Sequence, residues 1–169
     1  MEAIDTSKIK TDLGITLGNE DAPITVVEFT NLRCPFCKQW WDERHQLLSD
    51  YVASGRIKHT IKLFDKESPA LAKGNIMHHH VPHDDTAIEA ISAIFETQDV
   101  WGNMSSDEDI ARFAQEELGL TLQTDTKILQ AIVEETKDSH VFFIPTMVIN
   151  DTVFDQKITD DELIALIEK

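Results

Sequence analysis

The chain has 169 residues. That suits one domain, or one domain with an insertion, able to bury a core without disulfide staples. Its 31 acidic and 15 basic residues give a net charge of −16, spread along the chain rather than gathered in a tail. A surface of that sign repels phosphate backbones and anionic lipid, which argues against nucleic acid and membrane surfaces as partners. No apolar run reaches the ~20 residues of a membrane span, so no membrane insertion is expected.

The first ten residues, Met1 to Lys10, show neither the basic stretch nor the apolar run of a signal peptide. The expectation is a cytoplasmic protein, with an exported protein in its mature form as the alternative. Residues 1–14 read as an extended lead-in, and Ile15 to Gly18 as a short edge strand. After a turn ending at Pro23, the β-branched run Ile24 to Thr30 reads as a buried strand. A helix starts near Pro35, because proline's missing N–H would be unpaired in a first turn anyway. Cys37, Trp40, Trp41, Leu47, Leu48, Tyr51 and Val52 form its apolar stripe, and Ser54-Gly55 ends it. Arg56 to Phe64 alternates apolar and polar residues and reads as a second main strand.

From Pro69 to about Ser139 the periodicity is helical. One helix spans Pro69–His80 and stops near Pro82. A second starts at about Asp84, a third is capped by Ser106 and stopped by Gly119, and a fourth is capped by Thr124. Strand patterning returns at Phe142 to Ile149 and, past a turn at Asn150-Asp151, at Thr152 to Phe154. A last helix opens on the capping box Thr159 to Glu162. The order is β-α-β, a helical block, then β-β-α. The first unit needs a crossover helix, so its strands should be parallel; the last two strands, joined by a tight turn, should be antiparallel. The expectation is an α/β fold, a mixed central sheet with helices on both faces.

Cys34 and Cys37 are the whole thiol inventory, in the run Cys34-Pro35-Phe36-Cys37. They stand where a strand hands over to a helix N-terminus, whose partial positive charge and unpaired N–H groups favour a thiolate. Residues i and i+3 share a helix face, so the two sulfurs can meet. That is a place for thiol–disulfide chemistry. A zinc site would need four ligands, and the nearest histidine pair, His79 and His83, lies over forty residues on.

Three features together resemble the thioredoxin superfamily: the Cys-Pro-Phe-Cys run after a buried strand, Glu28 inside that strand, and Ile144-Pro145 ahead of the β-β-α unit. The helical block makes the chain similar to the DsbA-like branch. The resemblance implies a thioredoxin-like fold in a single domain, 1–169, with a core at about 14–66 plus 140–169 and an inserted all-helical subdomain at about 67–139. It implies a thiol–disulfide oxidoreductase acting on protein thiols or disulfides with an unidentified redox partner and no cofactor or metal. Cys34 matches the exposed attacking thiol and Cys37 the buried resolving thiol. Glu28 matches the buried acid that relays protons to Cys37; the alternative is a carboxylate paired with a strand cation such as Lys62. Pro145 matches the cis-proline opposite the thiols, which would leave the Ile144 backbone free to hold an extended substrate. Phe36 stands where a histidine in strongly oxidising relatives donates to the attacking sulfur, so Cys34 should be less acidic than in those proteins.

Leu32, Phe36 and Phe142 are candidates for an apolar collar around the thiols. Consecutive rings in the run His78-His79-His80 point in different directions on a helix, which argues against one shared ion. A groove-lining role for one of them is the better reading. Trp40, Trp41 and Trp101 read as core residues. The competing functional reading is a non-catalytic binding module or adaptor, with the cysteines as a redox-sensitive latch.

Overall fold

A computed structural model describes residues 3–169; Met1 and Glu2 of the N-terminal stretch lie outside them. Strands β1 (Ile15–Leu17), β2 (Ile24–Thr30), β3 (Ile57–Leu63), β4 (Thr146–Ile149) and β5 (Thr152–Phe154) form one sheet in the order β1-β3-β2-β4-β5. Strands β2 and β3 are parallel, joined by helix α1 (Pro35–Ala53), and the remaining pairings are antiparallel. Helices α2 (Pro69–His78), α3 (Ala87–Glu96), α4 (Gln98–Trp101), α5 (Asp107–Arg112) and α6 (Lys127–Ser139) fill the stretch between β3 and β4, and α7 (Asp160–Glu168) follows β5. This is the thioredoxin-like arrangement with a helical insertion.

The sheet is buried on both faces because its strands alternate. On one face Val26, Ile57, Met147 and Ile149 pack with Trp40 and Leu48 of α1 and with Leu163 and Ile167 of α7. On the other, Val27, Phe29 and Val148 pack with Ile132 of α6. Each such side chain removed from water stabilises the fold by roughly 1.5–3 kcal/mol. A third cluster joins the insertion to the loop after β2: Met77, Ile91, Ile94, Phe95 and Trp101 pack with Leu32, Trp41 and both cysteines. The thiols therefore sit on the seam between sheet and insertion. All three tryptophans are core residues.

Several boundaries differ from the sequence reading. Helix α2 ends at His78 rather than His80, and α6 starts after Thr126 rather than Thr124. The strand expected from Phe142 is confined to Thr146–Ile149; residues 142–145 form a loop instead. The lead-in is not a loose extension. It forms a 3₁₀ turn at Thr6–Lys8, then runs past a buried ion pair between Lys62 and Glu135, 2.9 Å apart. Lys62 donates to the carbonyls of Lys10 and Leu13, and the Lys10 N–H donates to Glu135. Burial pulls the Lys62 ammonium below its ordinary range, and Glu135 opposes that shift.

Breaking a buried pair from one side strands the other charge. Glu135→Ala should therefore cost about 3–5 kcal/mol in urea unfolding, whereas the double change Lys62→Met with Glu135→Leu should cost much less. Equal losses would show that the pair's charge is not what holds the lead-in.

Candidate active site

Strand β2 ends at Thr30, and four residues later Cys34 forms the N-cap of α1. The intervening turn is closed by the Cys34 N–H donating to the Asn31 carbonyl at 3.0 Å. The Cys34 carbonyl in turn accepts from the N–H groups of Cys37 and Lys38, both at 3.1 Å. Pro35 occupies the first helical position, as its missing donor allows. Cys37 lies one turn in.

Both cysteines are free thiols. The Cys34 thiol is pulled down from 9.0 to about 6. The chief cause is a side-chain hydrogen bond from Cys37; burial opposes it, and the N–H groups of Cys37 and Phe36 and the Arg33 charge add to it. Phe36 thus contributes its backbone where its ring cannot donate. Cys37 is pushed well above 9.0, first by burial and then by Cys34 itself, with Thr30 and the Asn31 N–H pulling the other way. Two chemically identical groups are split into an acid and a held proton, which is what sequential attack and resolution require.

Cys34 is 6% exposed, so it is less open than the expected attacking thiol. The loop before β4 lies against it: the Cys34 thiol donates to the Ile144 carbonyl over 3.9 Å. The Ile144–Pro145 peptide is cis. Phe36, Phe142 and Phe143 stand 57%, 46% and 64% exposed, giving three bare rings in the two segments that flank the thiols. Phe143 escaped the sequence reading. Leu32, expected in that collar, is instead fully buried in the insertion cluster, because α3 and α4 cover the turn that carries it. A groove of roughly 1130 Å³ begins at Phe143, Ile144 and Pro145 and continues between β5 and α7.

Glu28 is buried and does not pair with Lys62. Opposite Ile61 in the β2–β3 register, it shares a face with His59, whose Nε2 lies 2.6 Å from its Oε1. Lys62, one residue further along, points to the other face, toward Phe29 and Glu135. Trp40, one turn beyond Cys37 on α1, donates its indole N–H to the same carboxylate at 3.3 Å. Thr30, two residues on from Glu28, shares its face and adjoins Cys37. Of the histidine run, only His78 reaches the turn between β2 and α1, accepting the Leu32 N–H at 3.1 Å. His79 turns to Asp65, and His80 to the Ile76 carbonyl.

Thiolate, not thiol, reacts with alkylating agents. Cys34 should therefore be alkylated with a half-maximal rate near pH 6, falling below it, while Cys37 stays unreactive at neutral pH. In Cys37→Ala the Cys34 midpoint should rise, because the largest stabilising hydrogen bond is gone. Rates measured by mass spectrometry across pH check both; a midpoint near 9 in the intact chain would contradict the geometry.

A thioredoxin family model matches residues 10–169. A conserved protein of unknown function from Enterococcus faecalis V583 is 40% identical, with a TM-score of 0.95 over 98% of this chain and 95% of that one. BdbD from Bacillus subtilis, in its oxidised form, is 18% identical with a TM-score of 0.65, over 98% of this chain and 94% of that one. A periplasmic thioredoxin-like protein from Salmonella enterica serovar Typhimurium is 18% identical with a TM-score of 0.61, over 96% and 92%. At that identity the last two speak for the fold alone. No curated protein matches significantly. Sheet order, a helix N-terminus bearing the Cys-Pro-Phe-Cys run, and a family model spanning nearly all residues agree: the chain belongs to the thioredoxin family.

Proposed function

We propose that the chain is a protein thiol–disulfide oxidoreductase of the DsbA-like kind, with Cys34 as nucleophile and Cys37 as resolving thiol. The observation that carries this reading is the placing of the two thiols: Cys34 caps the N-terminus of α1 beside the Ile144 carbonyl and Cys37 lies buried one turn in, a placing that lowers the first thiol's pKa and raises the second's. As a reductant, the Cys34 thiolate attacks a substrate disulfide. The substrate S–S bond breaks, one substrate sulfur leaves as thiolate and takes a proton, and Cys34 is left in a mixed disulfide. Cys37 then gives up its proton and attacks the Cys34 sulfur. The second substrate thiol leaves, and Cys34–Cys37 becomes a disulfide. Two electrons and two protons have passed to the substrate. As an oxidant, the same steps run in reverse, with a substrate thiol attacking the Cys34 sulfur. A separate thiol or disulfide partner resets the pair.

In this reading Glu28 receives and returns the Cys37 proton, passing it along the face that also carries Thr30. The Ile144 backbone, beside the Cys34 sulfur, holds an extended substrate segment. Phe36, Phe142 and Phe143 give apolar side chains of unfolded protein a place to rest. No helix among the described residues is long and apolar enough to cross a membrane. Compartment sets the direction of flux: a cytoplasmic thiol pool keeps the pair reduced and favours reductase work, whereas export favours oxidase work.

The test is a trapping pair. Cys37→Ser should accumulate mixed disulfides through Cys34, seen as adducts lost on reduction, and Cys34→Ser should abolish insulin reduction. A chain that turns over no insulin or thiol peptide, yet binds a partner in one redox state, would be the latch instead. Glu28→Gln should slow the resolution step roughly tenfold or more while leaving the first attack unchanged, as removal of a proton acceptor would; stopped-flow release of the second thiol reads this.

A further inference from the structure

The turn that delivers Cys34 is held by side chains of the helical insertion. Gln98 of α4 donates to the Leu32 carbonyl at 2.8 Å and to the Cys34 carbonyl at 3.2 Å. Asn31 accepts the Arg33 N–H at 2.9 Å and donates to the Phe64 carbonyl at 3.0 Å. The remaining donor of the turn, the buried Leu32 N–H, meets His78 Nε2 of α2. A backbone amide can only donate, so that nitrogen must be unprotonated. The imidazole proton then sits on Nδ1, which lies 2.6 Å from Asp65 Oδ1. Gly74, one turn earlier on the same face of α2, lets the helix backbone close on the turn: a Cβ there would strike the Asn31 carboxamide.

We propose that His78 is a positioning residue for the redox pair: clamped by Asp65 as the neutral Nδ1–H tautomer, it fixes the Leu32 amide and thereby the placing of the Cys34 sulfur at the α1 N-terminus. The inference rests on the redox reading of Cys34 and Cys37. His78 is fully buried, and burial lowers its pKa below 6.5 against the pull of Asp65. Asp65 is held at about 2, as its bonds to His78 and His79 outweigh its burial. His79 takes the other Asp65 oxygen at 2.9 Å. On the far side, His83 and Asp125 join His78 around a cavity of about 140 Å³. An acceptor that stays neutral through the working pH range keeps the turn closed. Without it the turn loosens, and the sulfur loses the Phe36 and Cys37 amides that hold its charge.

The first test is ¹⁵N NMR of the reduced protein. His78 should show a protonated Nδ1 and an unprotonated Nε2 at pH 7; a protonated Nε2 overturns the proposal. The second is a substitution series. His78→Gln keeps an acceptor of similar reach, and His78→Leu removes it. In His78→Leu the Cys34 thiolate absorbance midpoint should rise by about one pH unit. The exchange equilibrium with glutathione should move about tenfold toward the protein disulfide, or ~30 mV. His78→Gln should stay near the unsubstituted chain in both. A folded His78→Leu protein with unchanged midpoint and equilibrium overturns the proposal. If His78→Leu does not fold, Asp65→Asn decides, since freeing the tautomer should raise the midpoint in the same sense, and an unchanged midpoint there counts against it. None of these readouts needs substrate turnover, so failure of insulin reduction would sink the functional reading alone.

Discussion

A sulfur set at the N-terminus of a helix is the arrangement on which the rest of this molecule depends. Cys34 can carry negative charge there because the Cys37 thiol and the N–H groups of Cys37 and Phe36, in the first turn of α1, face its sulfur. Helix α1 is long and anchored on two faces, by Trp40 and Leu48 against the sheet and by Trp41 against the insertion. Its N-terminus is therefore a fixed site. The overall charge of −16 works against a thiolate, so local donors must supply the stabilisation that the global field withholds.

The second thiol is the complement of the first. Cys37 is 1% exposed and lies in the cluster that joins α1 to the insertion. What makes it a poor acid also gives it a proton to lend to Cys34. Once Cys34 is bonded to another sulfur, the neighbouring charge that held the Cys37 proton in place is gone. In the proposed exchange, the first half would thereby prepare the second. Behind the pair, Glu28 is bonded to His59 and Trp40 rather than left bare, which makes a buried carboxylate tolerable.

Local signals in the sequence carried much of this. Alternation of β-branched residues placed β2 and β3, and the capping box at Thr159–Glu162 and the Ser106 cap opened α7 and α5 as read. Where local signals failed, contacts across the chain had decided. The Phe142–Pro145 stretch has strand composition, yet it forms the loop that carries Ile144 to the Cys34 sulfur. Lys62 was the obvious cation for Glu28 by proximity, but a one-residue step in a strand reverses the face, and His59 has the right parity. Leu32 looked like a surface apolar residue because its cover comes from helices far along the chain. Its amide meets a histidine 46 residues on, and its carbonyl a glutamine 66 residues on. No spacing rule announces such bonds; the Gly74–His78 interval gives a hint only once α2 is known to lie on the turn.

The central claim is that these two sulfurs form one reversible two-electron couple. A titration of the intact chain against glutathione buffers, quenched with acid and read by mass on the peptide holding both cysteines, tests it most directly. A single transition in which that peptide loses two hydrogens and gains an internal Cys34–Cys37 bond is the predicted result. A peptide that takes up glutathione without ever closing on itself, or that stays reduced at every ratio, would contradict the account.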